Sequence, residues 1–463
     1  MKSAFLIVCD KIKSLCRYLL SKKANVNALD KERHSPVHWA VVCGQLEPLD
    51  VLCNSGSLIN TADIYGAFPI HYAAQMCGPA EDQTSDKARV FLVVLRKLLA
   101  RGADPNVLDK DQRPPVLWAA SAGSADAFLA LVNYGASSDK VDKDGLAALH
   151  CAASRGHKEC LSILITLCGA DVNQRDGNGC TALFYTVTLG YVECTELLLG
   201  CGAETDLQDR KGRTPAHCGA AKGQLDTLRL LHNYSGDLAR ENNKGELPLM
   251  DAVRSGRKDL VRWWLELHED KVDKVNKDGK TALHVAAATR SVDICAILVD
   301  KKASVNKLAV SEGGKVSSPL DVAVHRGNRS CARYLVSKGG LRSSKLMSKV
   351  SAKTRESAKN AANEPVTDDI KQLAETPLQR TRHSSKMSQI RSGTEDSETD
   401  NEASRSQSRK RKLRRRKGGS SSNTRTPSSN NKDPLPEPVD RKFLVTPRFI
   451  KRSDFLTFIL HLI

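Results

Sequence analysis

The chain has few of the patterns that mark enzymes, metal-binding proteins or membrane proteins. Its 463 residues contain no H-E-x-x-H, no G-x-S-x-G, no phosphate-binding glycine loop and no paired-carboxylate motif. No stretch approaches the run of about 20 apolar residues that a membrane-spanning helix needs. These absences predict a protein that is not an enzyme, has no catalytic, cofactor-binding or metal-binding residues, and has no transmembrane segment.

The fourteen cysteines contain no C-x-x-C pair, which argues against a zinc site. Several of them recur at similar places inside apolar blocks, as Cys160, Cys194 and Cys331 do. We therefore expect structural thiols in a reducing intracellular compartment. The apolar run at residues 4–9 is short and is followed at once by charged residues, so we do not expect a secretory signal peptide.

Aromatic residues make up only 5% of the chain, which suits a core of Leu, Ala, Val and Ile. The net charge of +18 is spread unevenly. Residues 341–463 carry 27 Lys/Arg against 14 Asp/Glu, whereas the first 340 residues carry 44 against 39. The basic character therefore belongs mainly to the C-terminal segment.

A fixed period dominates the middle of the chain. Five glycines recur at spacings of 34, 33, 33 and 34 residues, namely Gly145, Gly179, Gly212, Gly245 and Gly279. Most of them open a phrase of the form Gly-x-Thr-Pro-Leu-His or a close variant of it. An apolar block and a Gly-Ala-Asp-like ending then follow. A period of this length predicts an array of stacked structural repeats.

The phrase, the period and the order of parts resemble the ankyrin repeat over residues 13–340. The resemblance implies an all-α ankyrin-repeat solenoid of helix-turn-helix units joined by β-hairpin loops. In each unit the glycine takes positive φ in a turn, the threonine caps the first helix, and the histidine bridges neighbouring turns. One unit cannot bury its apolar face alone, so neighbours must stack. The resemblance further implies a non-catalytic binding scaffold.

We expect three parts along the chain. Residues 1–29 form a partial or degenerate N-terminal ankyrin repeat, which is either capped by residues 4–9 or continues a longer array. Residues 30–340 form nine ankyrin repeats, with an insert near 78–88 that we expect to be a surface loop. Residues 341–463 form a disordered, basic tail rich in Ser, Lys and Arg, because they offer few large apolar side chains for burial. The nine units begin near Asp30, Asp63, Asp109, Asp142, Asp176, Asp209, Asn242, Asn276 and Ala309.

The recurring histidines are expected to be structural rather than catalytic. They occupy the last position of the Thr-Pro-Leu-His phrase, at His38, His71, His150, His217 and His284. Three units have Phe184, Met250 or Asp321 there instead, and we expect looser junctions where the histidine is missing. The adjacent Trp263 and Trp264 lie on one helix and cannot both face the core, so one of them should be partly exposed.

Four cations define a candidate partner-binding surface. They lie at two variable positions near the end of the first helix of their units, at Arg155, Lys222, Arg254 and Arg326. We predict a groove that is basic toward its C-terminal half and suited to an extended acidic segment of a partner protein. The alternative is that these cations are solvated and have no partner.

A dense basic cluster lies in the tail. It consists of Arg409, Lys410, Arg411, Lys412, Arg414, Arg415, Arg416 and Lys417. Such a run predicts a nuclear localisation signal that an import receptor binds. Salt-sensitive contact with nucleic acid is a weaker alternative, since no aromatic residue is interleaved for base stacking. Attachment to an anionic membrane surface is a third.

One asparagine is a candidate modification site on the strength of the resemblance alone. Asn173 ends an Asp-Val-Asn phrase, and asparagines in this context of ankyrin repeats are substrates of an asparaginyl hydroxylase. The phrases that end at Asn27, Asn106 and Asn306 match the context less completely.

Two hypotheses for the whole protein remain open at this point. The first is a nuclear adaptor whose repeats hold a regulatory protein and whose tail directs import. The second is a cytoplasmic scaffold that its basic tail ties to cytoskeleton, cilium or membrane. Both place the protein in the nucleus, the cytoplasm or both, and neither needs a cofactor.

Overall fold

The computed structural model describes residues 14–78, 85–310 and 316–348, with the side chains of residues 85–87 excepted. The chain divides into two units, and the described residues all belong to the first; the second, residues 353–437, lies outside them. Of the expected tail, residues 341–348 are described, and residues 343–348 are helical where disorder was predicted; the rest of the tail, its basic cluster and the possible N-terminal cap at residues 4–9 lie outside the described residues.

The described residues hold nine pairs of helices, each made of a first, inner helix and a second, outer helix. The inner helices are α1 (Pro36–Val42), α3 (Pro69–Met76), α5 (Pro115–Ala122), α7 (Ala148–Ala153), α9 (Ala182–Leu189), α11 (Pro215–Lys222), α13 (Pro248–Arg254), α15 (Ala282–Ala288) and α17 (Pro319–His325). The outer helices are α2 (Leu46–Asn54), α4 (Ser85–Ala100), α6 (Ala125–Asn133), α8 (Lys158–Thr166), α10 (Val192–Gly200), α12 (Leu225–Asn233), α14 (Lys258–Leu267), α16 (Val292–Asp300) and α18 (Arg329–Ser337). Each inner helix contacts the next inner helix, so the inner helices form one continuous row.

Short elements complete the described part. A 3-10 turn spans Glu269–Lys271, and strand β1 (Ala309–Val310) pairs antiparallel with β2 (Val316–Ser317). Residues 14–21 and 343–348 are helical as well. None of the described helices is long and apolar enough to cross a membrane.

Local sequence explains where the inner helices begin and end. Proline occupies the first position of six of them, where its missing N–H costs no hydrogen bond. The residue before it is extended, as proline requires. The helices α5, α9 and α11 end at glycines in the left-handed conformation, Gly123, Gly190 and Gly223.

The predicted role of threonine at the helix start is wrong in detail. The hydroxyl groups of Thr214 and Thr281 accept no backbone N–H. They instead lie 3.0 and 2.9 Å from Nδ1 of His217 and His284. Because Nδ1 also accepts the threonine's own N–H, the hydroxyl must donate to it. The backbone N–H of each histidine donates to the carbonyl of the threonine at 3.0 Å instead of to its hydroxyl.

Small and large apolar residues divide the core between them. The alanine pairs of the inner helices, such as Ala73 with Ala74 and Ala119 with Ala120, are fully buried. Their small side chains let neighbouring helices approach closely, and leucines of the outer helices cover them. Trp264 is fully buried and donates from Nε1 to the carbonyl of Leu238 at 3.0 Å. Trp263 is half-buried, which confirms the prediction that only one of the two faces the core.

The hairpin tips are held by the residue that begins each unit. Asp142 Oδ1 accepts the N–H groups of Asp144 and Leu146 at 2.9 and 2.8 Å. The same pair of bonds recurs at Asp30, Asp63, Asp109, Asp176, Asp209, Asn242 and Asn276. A buried or half-buried acceptor therefore fixes the bend of every one of these hairpins.

Neighbouring tips are bonded to each other in register. The N–H of Gly177 donates to the carbonyl of Asp144 at 2.8 Å, and the N–H of Arg210 donates to the carbonyl of Asn178 at 2.9 Å. The tips approach so closely that a Cβ on Gly145, whose φ is +78°, would lie 2.7 Å from the nitrogen of Gly177. Glycine is required there by both conformation and space. We call the resulting line of tips, from one residue before to four residues after the start of each unit, the tip row.

The insert differs from the expected surface loop. Helix α4 begins at Ser85 and is 16 residues long, whereas the other outer helices have 9 or 10. Part of the additional sequence therefore lengthens the outer helix of the second unit. Residues 79–84 lie outside the described residues.

Candidate functional site

Three of the four candidate cations occupy one equivalent position. Arg155, Lys222 and Arg326 each lie five residues after the histidine position of their unit, at the end of an inner helix. Arg326 is exposed, and the other two are half-buried. Within residues 14–78, 85–310 and 316–348, none of the three forms an ion pair. Since the inner helices stack in a row, these positions recur along one side of that row.

Arg254 differs from the other three cations. It lies four residues after the histidine position, which rotates it by about 100° around the helix. Its Nη2 donates to Oε1 of Glu246 at 2.6 Å, and its Nη1 donates to Oδ1 of Asp251. Two carboxylates therefore neutralise this guanidinium, and Arg254 adds no unpaired positive charge to the surface.

Asp251 is a buried acid with incomplete hydrogen bonding. Its Oδ2 has no hydrogen-bond partner among the described atoms. Burial raises the pKa of Asp251 to about 6, the guanidinium of Arg254 lowers it in part, and the charge of Glu246 raises it further. The sequence does not reveal this, because Asp251 stands where other units have an apolar or aromatic residue.

The aromatic residues at the position of Asp251 show what that position normally does. In four units a tryptophan or tyrosine donates to Oδ2 of the aspartate that begins its own unit, nine residues earlier. The four distances are 3.2, 2.6, 3.1 and 2.6 Å, for Trp39, Tyr72, Trp118 and Tyr185. These polar atoms are thus used inside the repeat. A recurring Asp-x8-Trp/Tyr spacing is the sequence signal that would have revealed the pairing.

The histidines bridge successive units, as the resemblance implied. Nε2 of His71 donates to the carbonyl of Arg113 at 2.9 Å, and Nε2 of His217 donates to the carbonyl of Glu246 at 3.0 Å. Backbone N–H groups donate to the opposite nitrogen, Nδ1, so the proton of the neutral ring must reside on Nε2. Equivalent bridges come from His38, His150 and His284.

Burial keeps these histidines neutral. It lowers the pKa of His38, His71, His217 and His284 to about 4, although each ring bonds a backbone carbonyl that favours the charged form. A general base for work near neutral pH needs a pKa close to 7. The histidine positions are therefore structural.

Four buried cysteines are poor nucleophiles. Burial raises the pKa of Cys77, Cys151, Cys160 and Cys218 to about 12, so these thiols remain protonated at neutral pH. No group of His, Cys, Asp and Glu among the described residues could hold a metal ion.

A second set of residues that bridge neighbouring units was not predicted from the sequence. His157 and Asn328 lie directly after the glycine that separates the two helices of their units. Nε2 of His157 bonds the carbonyl of Ser121 at 3.1 Å, and Nδ2 of Asn328 donates to the carbonyl of Thr289 at 2.9 Å. Both contacts satisfy carbonyls at the end of the preceding inner helix. The sequence signal that could have predicted these bridges is the recurrence of polar residues directly after this glycine.

Asn173 is half-buried and links two units. Its Oδ1 accepts the N–H of Glu204 at 2.9 Å, and its Nδ2 lies 3.3 Å from Oε1 of the same residue. Asn106 and Asn306 accept in the same way from Ser137 and Leu341. The asparagine of the closing phrase is thus a junction residue in the folded array.

Comparison with known families identifies the repeats. The family described as Ankyrin repeats (3 copies) matches residues 90–176, 153–242, 183–275 and 249–344, which together make up more than half of the chain. The chain therefore belongs to the ankyrin repeat family. Repeats of this family serve protein–protein interaction.

Individual relatives share only part of their length with this chain. Palmitoyltransferase AKR1 of Lachancea kluyveri is 30% identical over 173 residues, which are 37% of this chain and 22% of the relative. Human SH3 and multiple ankyrin repeat domains protein 1 is 39% identical over 119 residues, 25% of this chain and 5% of the relative. Ankyrin repeat protein nuc-2 of Neurospora crassa is 30% identical over 203 residues, which are 39% of this chain and 19% of the relative.

The chain thus spans less than a quarter of the length of these relatives. The ankyrin repeat is generally a non-catalytic fold, but the likeness to a palmitoyltransferase leaves an enzymatic role of this chain open.

Proposed function

We propose that this array is a non-catalytic scaffold that binds partner proteins through the ends of its inner helices and through its hairpin tips. The single observation that supports this most is the recurrence of unpaired cations, Arg155, Lys222 and Arg326, at one position of the stacked inner helices. A partner segment that is extended and acidic complements such a surface. Arg254 is left out of the binding set, because Glu246 and Asp251 already neutralise it.

The chemistry of the described residues supports a non-catalytic role. Buried thiols such as that of Cys151 are protonated at neutral pH, and recurring histidines such as His217 are neutral and form bridges between units. The likeness to a palmitoyltransferase is tested separately, by incubating the full chain with palmitoyl-coenzyme A and a protein acceptor. We expect no transfer of palmitate.

Partner binding is tested by reversing the charge of the three unpaired cations. The full chain is purified from cell lysate with its companions, beside a variant that carries Arg155→Glu, Lys222→Glu and Arg326→Glu. The matched control reverses three exposed cations of outer helices, Arg96, Arg329 and Arg333.

We expect a discrete set of partners to be lost from the inner-helix variant and kept by the control, with unchanged thermal unfolding of both. Equal recovery by all three proteins would disprove the proposed surface.

We further propose that the scaffold acts in the nucleus and that residues 409–417 are its import signal. Eight of these nine residues are Lys or Arg, which is the pattern that import receptors bind. Deletion of residues 409–417 should lower the nuclear fraction of a fluorescent fusion, whereas deletion of residues 418–426 should not. Loss of a filamentous or peripheral pattern instead would favour the cytoplasmic scaffold. Salt-sensitive retention on heparin would favour contact with nucleic acid.

Asn173 is proposed as a substrate for hydroxylation. The proposal rests on its Asp-Val-Asn context. Mass spectrometry of a peptide that contains residues 171–175 should reveal one added oxygen on Asn173 when the protein is isolated from cells. Its absence from protein isolated under full oxygenation would exclude the modification.

A further inference from the structure

The N-terminal half of the tip row exposes large apolar side chains. Leu29, Tyr65, Leu108 and Val141 are 43, 49, 42 and 41% exposed. Leu29, Leu108 and Val141 each stand one residue before the start of their unit, and Tyr65 lies at the tip of the unit between the first two. The bonds between neighbouring tips keep these side chains in one line. Contiguous exposed apolar residues mark a surface for interaction.

The positive charges in this half of the tip row are offset by acids. At three of its four tips a lysine is followed by an acid, as in Lys110 with Asp111 and Lys143 with Asp144. Lys143 also forms an ion pair with Asp111 of the preceding unit. Arg113 pairs with the buried Asp109 at 2.8 Å. The apolar line therefore lies in surroundings without an excess of positive charge.

The C-terminal half of the tip row, from the unit at Asp176 to the unit at Asn276, has one large exposed apolar side chain among its described residues, Val275, and several exposed cations. Arg175, Arg210, Lys211 and Lys277 are exposed, and none of them forms an ion pair within the described ranges. Two acids of this half already form ion pairs with lysines. Glu241 pairs with Lys274 at 2.7 Å, and Asp278 pairs with Lys280 at 2.8 Å. An excess of positive charge thus faces solvent from the unit at Asp176 to the unit at Asn276.

We infer that the tip row is a two-part docking surface for one extended segment of a partner protein, aliphatic at one end and acidic at the other. The aliphatic end lies on the first four units and the acidic end on the units from Asp176 to Asn276. Apolar contact and charge complementarity each supply one half of the recognition. The inference rests on the proposed function and deepens it, because it fixes both the surface and the order of the partner's residues.

The length of the segment follows from the spacing of the units. Stacked helices lie 8–10 Å apart, so the seven steps between the first and the eighth unit cover about 60–70 Å. An extended chain advances about 3.3 Å per residue, which requires about 20 residues. Single-stranded nucleic acid fits less well, because Tyr65 is the one aromatic side chain of the described tip positions on which a base could stack.

The test uses the full chain and synthetic 20-residue peptides that carry a fluorophore. One peptide has aliphatic residues in its first half and Glu in its second, another has the reverse order, and a third has Ser and Gly in place of the aliphatic residues. A 20-nucleotide oligo(dT) is the fourth probe. Residues 409–417 are present in every protein sample, so their attraction for anions contributes equally to all comparisons.

Two variants and a control separate the halves of the surface. The first carries Arg210→Glu and Lys211→Glu, the second carries Leu29→Ser and Leu108→Ser, and the control carries Arg329→Glu and Arg333→Glu on outer helix α18. All six positions are exposed, so we expect the fold to tolerate these changes.

We expect one of the two aliphatic–acidic peptides to bind about ten-fold more tightly than the peptide without aliphatic residues. Reversal of Arg210 and Lys211 should weaken binding of this peptide. Replacement of Leu29 and Leu108 should remove its higher affinity over the peptide without aliphatic residues and change nothing else, and the control should bind all peptides as the wild type does.

The inference is overturned if the aliphatic half adds no affinity, or if oligo(dT) binds as tightly as the better peptide. If reversal of Arg155, Lys222 and Arg326 weakens the peptides while the tip variants do not, the inference fails and the proposed function stands. If no variant changes binding, both fail.

Discussion

At the scale of the residue, a buried neutral histidine joins one unit to the next. His217 receives the N–H of Thr214 on one side of its ring and donates to the carbonyl of Glu246 on the other. Protonation of Nδ1 would break the first bond and place a charge in the core. The ring is therefore useful only as a neutral group, and its surroundings lower its pKa accordingly.

This predicts a loss of stability in mild acid. The pKa of His217 falls from 6.5 to about 4 on folding, so between these values the unfolded chain binds a proton that the folded chain does not. The contribution to the free energy of unfolding is present above pH 6.5 and is lost as the pH falls toward 4. The urea midpoint should fall steadily between pH 7 and pH 5, and His38, His71 and His284 should add to the effect.

The variant His217→Leu isolates one of these groups. We expect it to be less stable at pH 7 by about 1–3 kcal/mol, because bonds to buried backbone groups are lost. Its stability should depend less steeply on pH than that of the wild type. The control His325→Gln changes an exposed histidine and should keep the wild-type slope. An unchanged slope in His217→Leu would show that this ring is protonated in the folded array.

Asp251 predicts a pH effect of the opposite sign. Burial raises the pKa of its carboxyl from 3.8 to about 6, so the folded state favours the protonated acid, and stability is lost as the pH rises from about 4 through 6. The variant Asp251→Asn should raise the free energy of unfolding by about 1–2 kcal/mol at pH 7.5, since it removes a buried charge. At pH 4 the gain should disappear. A variant that is less stable at both pH values would show that the ion pair with Arg254 outweighs the cost of burial.

At the scale of the element, each hairpin depends on the unit before it. The hairpin at Asn242 receives the bond from His217, whereas the hairpin at Asn276 follows Met250, which offers no such donor. Looser junctions behind Met250 remain a prediction. Hydrogen exchange by mass spectrometry should show slower exchange for residues 242–246 than for 276–280.

The variant His217→Met supplies the control for that comparison. It should speed exchange at residues 242–246 to the rate of residues 276–280 and leave more distant hairpins unchanged. Equal rates for both hairpins in the wild type would mean that the histidine bridge does not determine how tightly a hairpin is held.

The helices and the hairpin tips could largely be predicted from the sequence. The period and the turn chemistry at positions such as Gly145 and Pro215 are local signals, so they locate the inner helices and the tips. Histidine bridges followed from the family resemblance. The neutralisation of Arg254 could not be predicted, because it depends on how Glu246 and Asp251 converge in three dimensions.

Two further features were predicted wrongly from local sequence patterns. The pattern assigned helix capping to the hydroxyl of Thr214, but that hydroxyl bonds the ring of His217, and the N–H of His217 donates to the carbonyl of Thr214. The insert contains Gly, Pro and polar residues, which favoured a loop, yet α4 begins at Ser85 within it. Apolar residues farther along α4 pack against the core and set the helix, which overrides the local preference.

At the scale of the whole molecule, the repeats form one continuous row of inner helices and one row of bonded tips. The tip row changes character along the chain, because positive charge is in excess in its later units and most of its large exposed apolar residues lie in its earlier ones. A partner that lies along the array would therefore bind in one direction. Stacked repeats suit such extended recognition, since each unit adds one more contact position.

Hydrogen exchange of the full chain, with and without the partner most enriched in its purification, tests the central claim most directly. We predict that the partner slows exchange at the ends of the inner helices, near Arg155, Lys222 and Arg326, and along the tip row. The outer helices, including α12 and α18, should exchange at the same rate in both samples. Protection confined to the outer helices or to residues 349–463 would contradict the account.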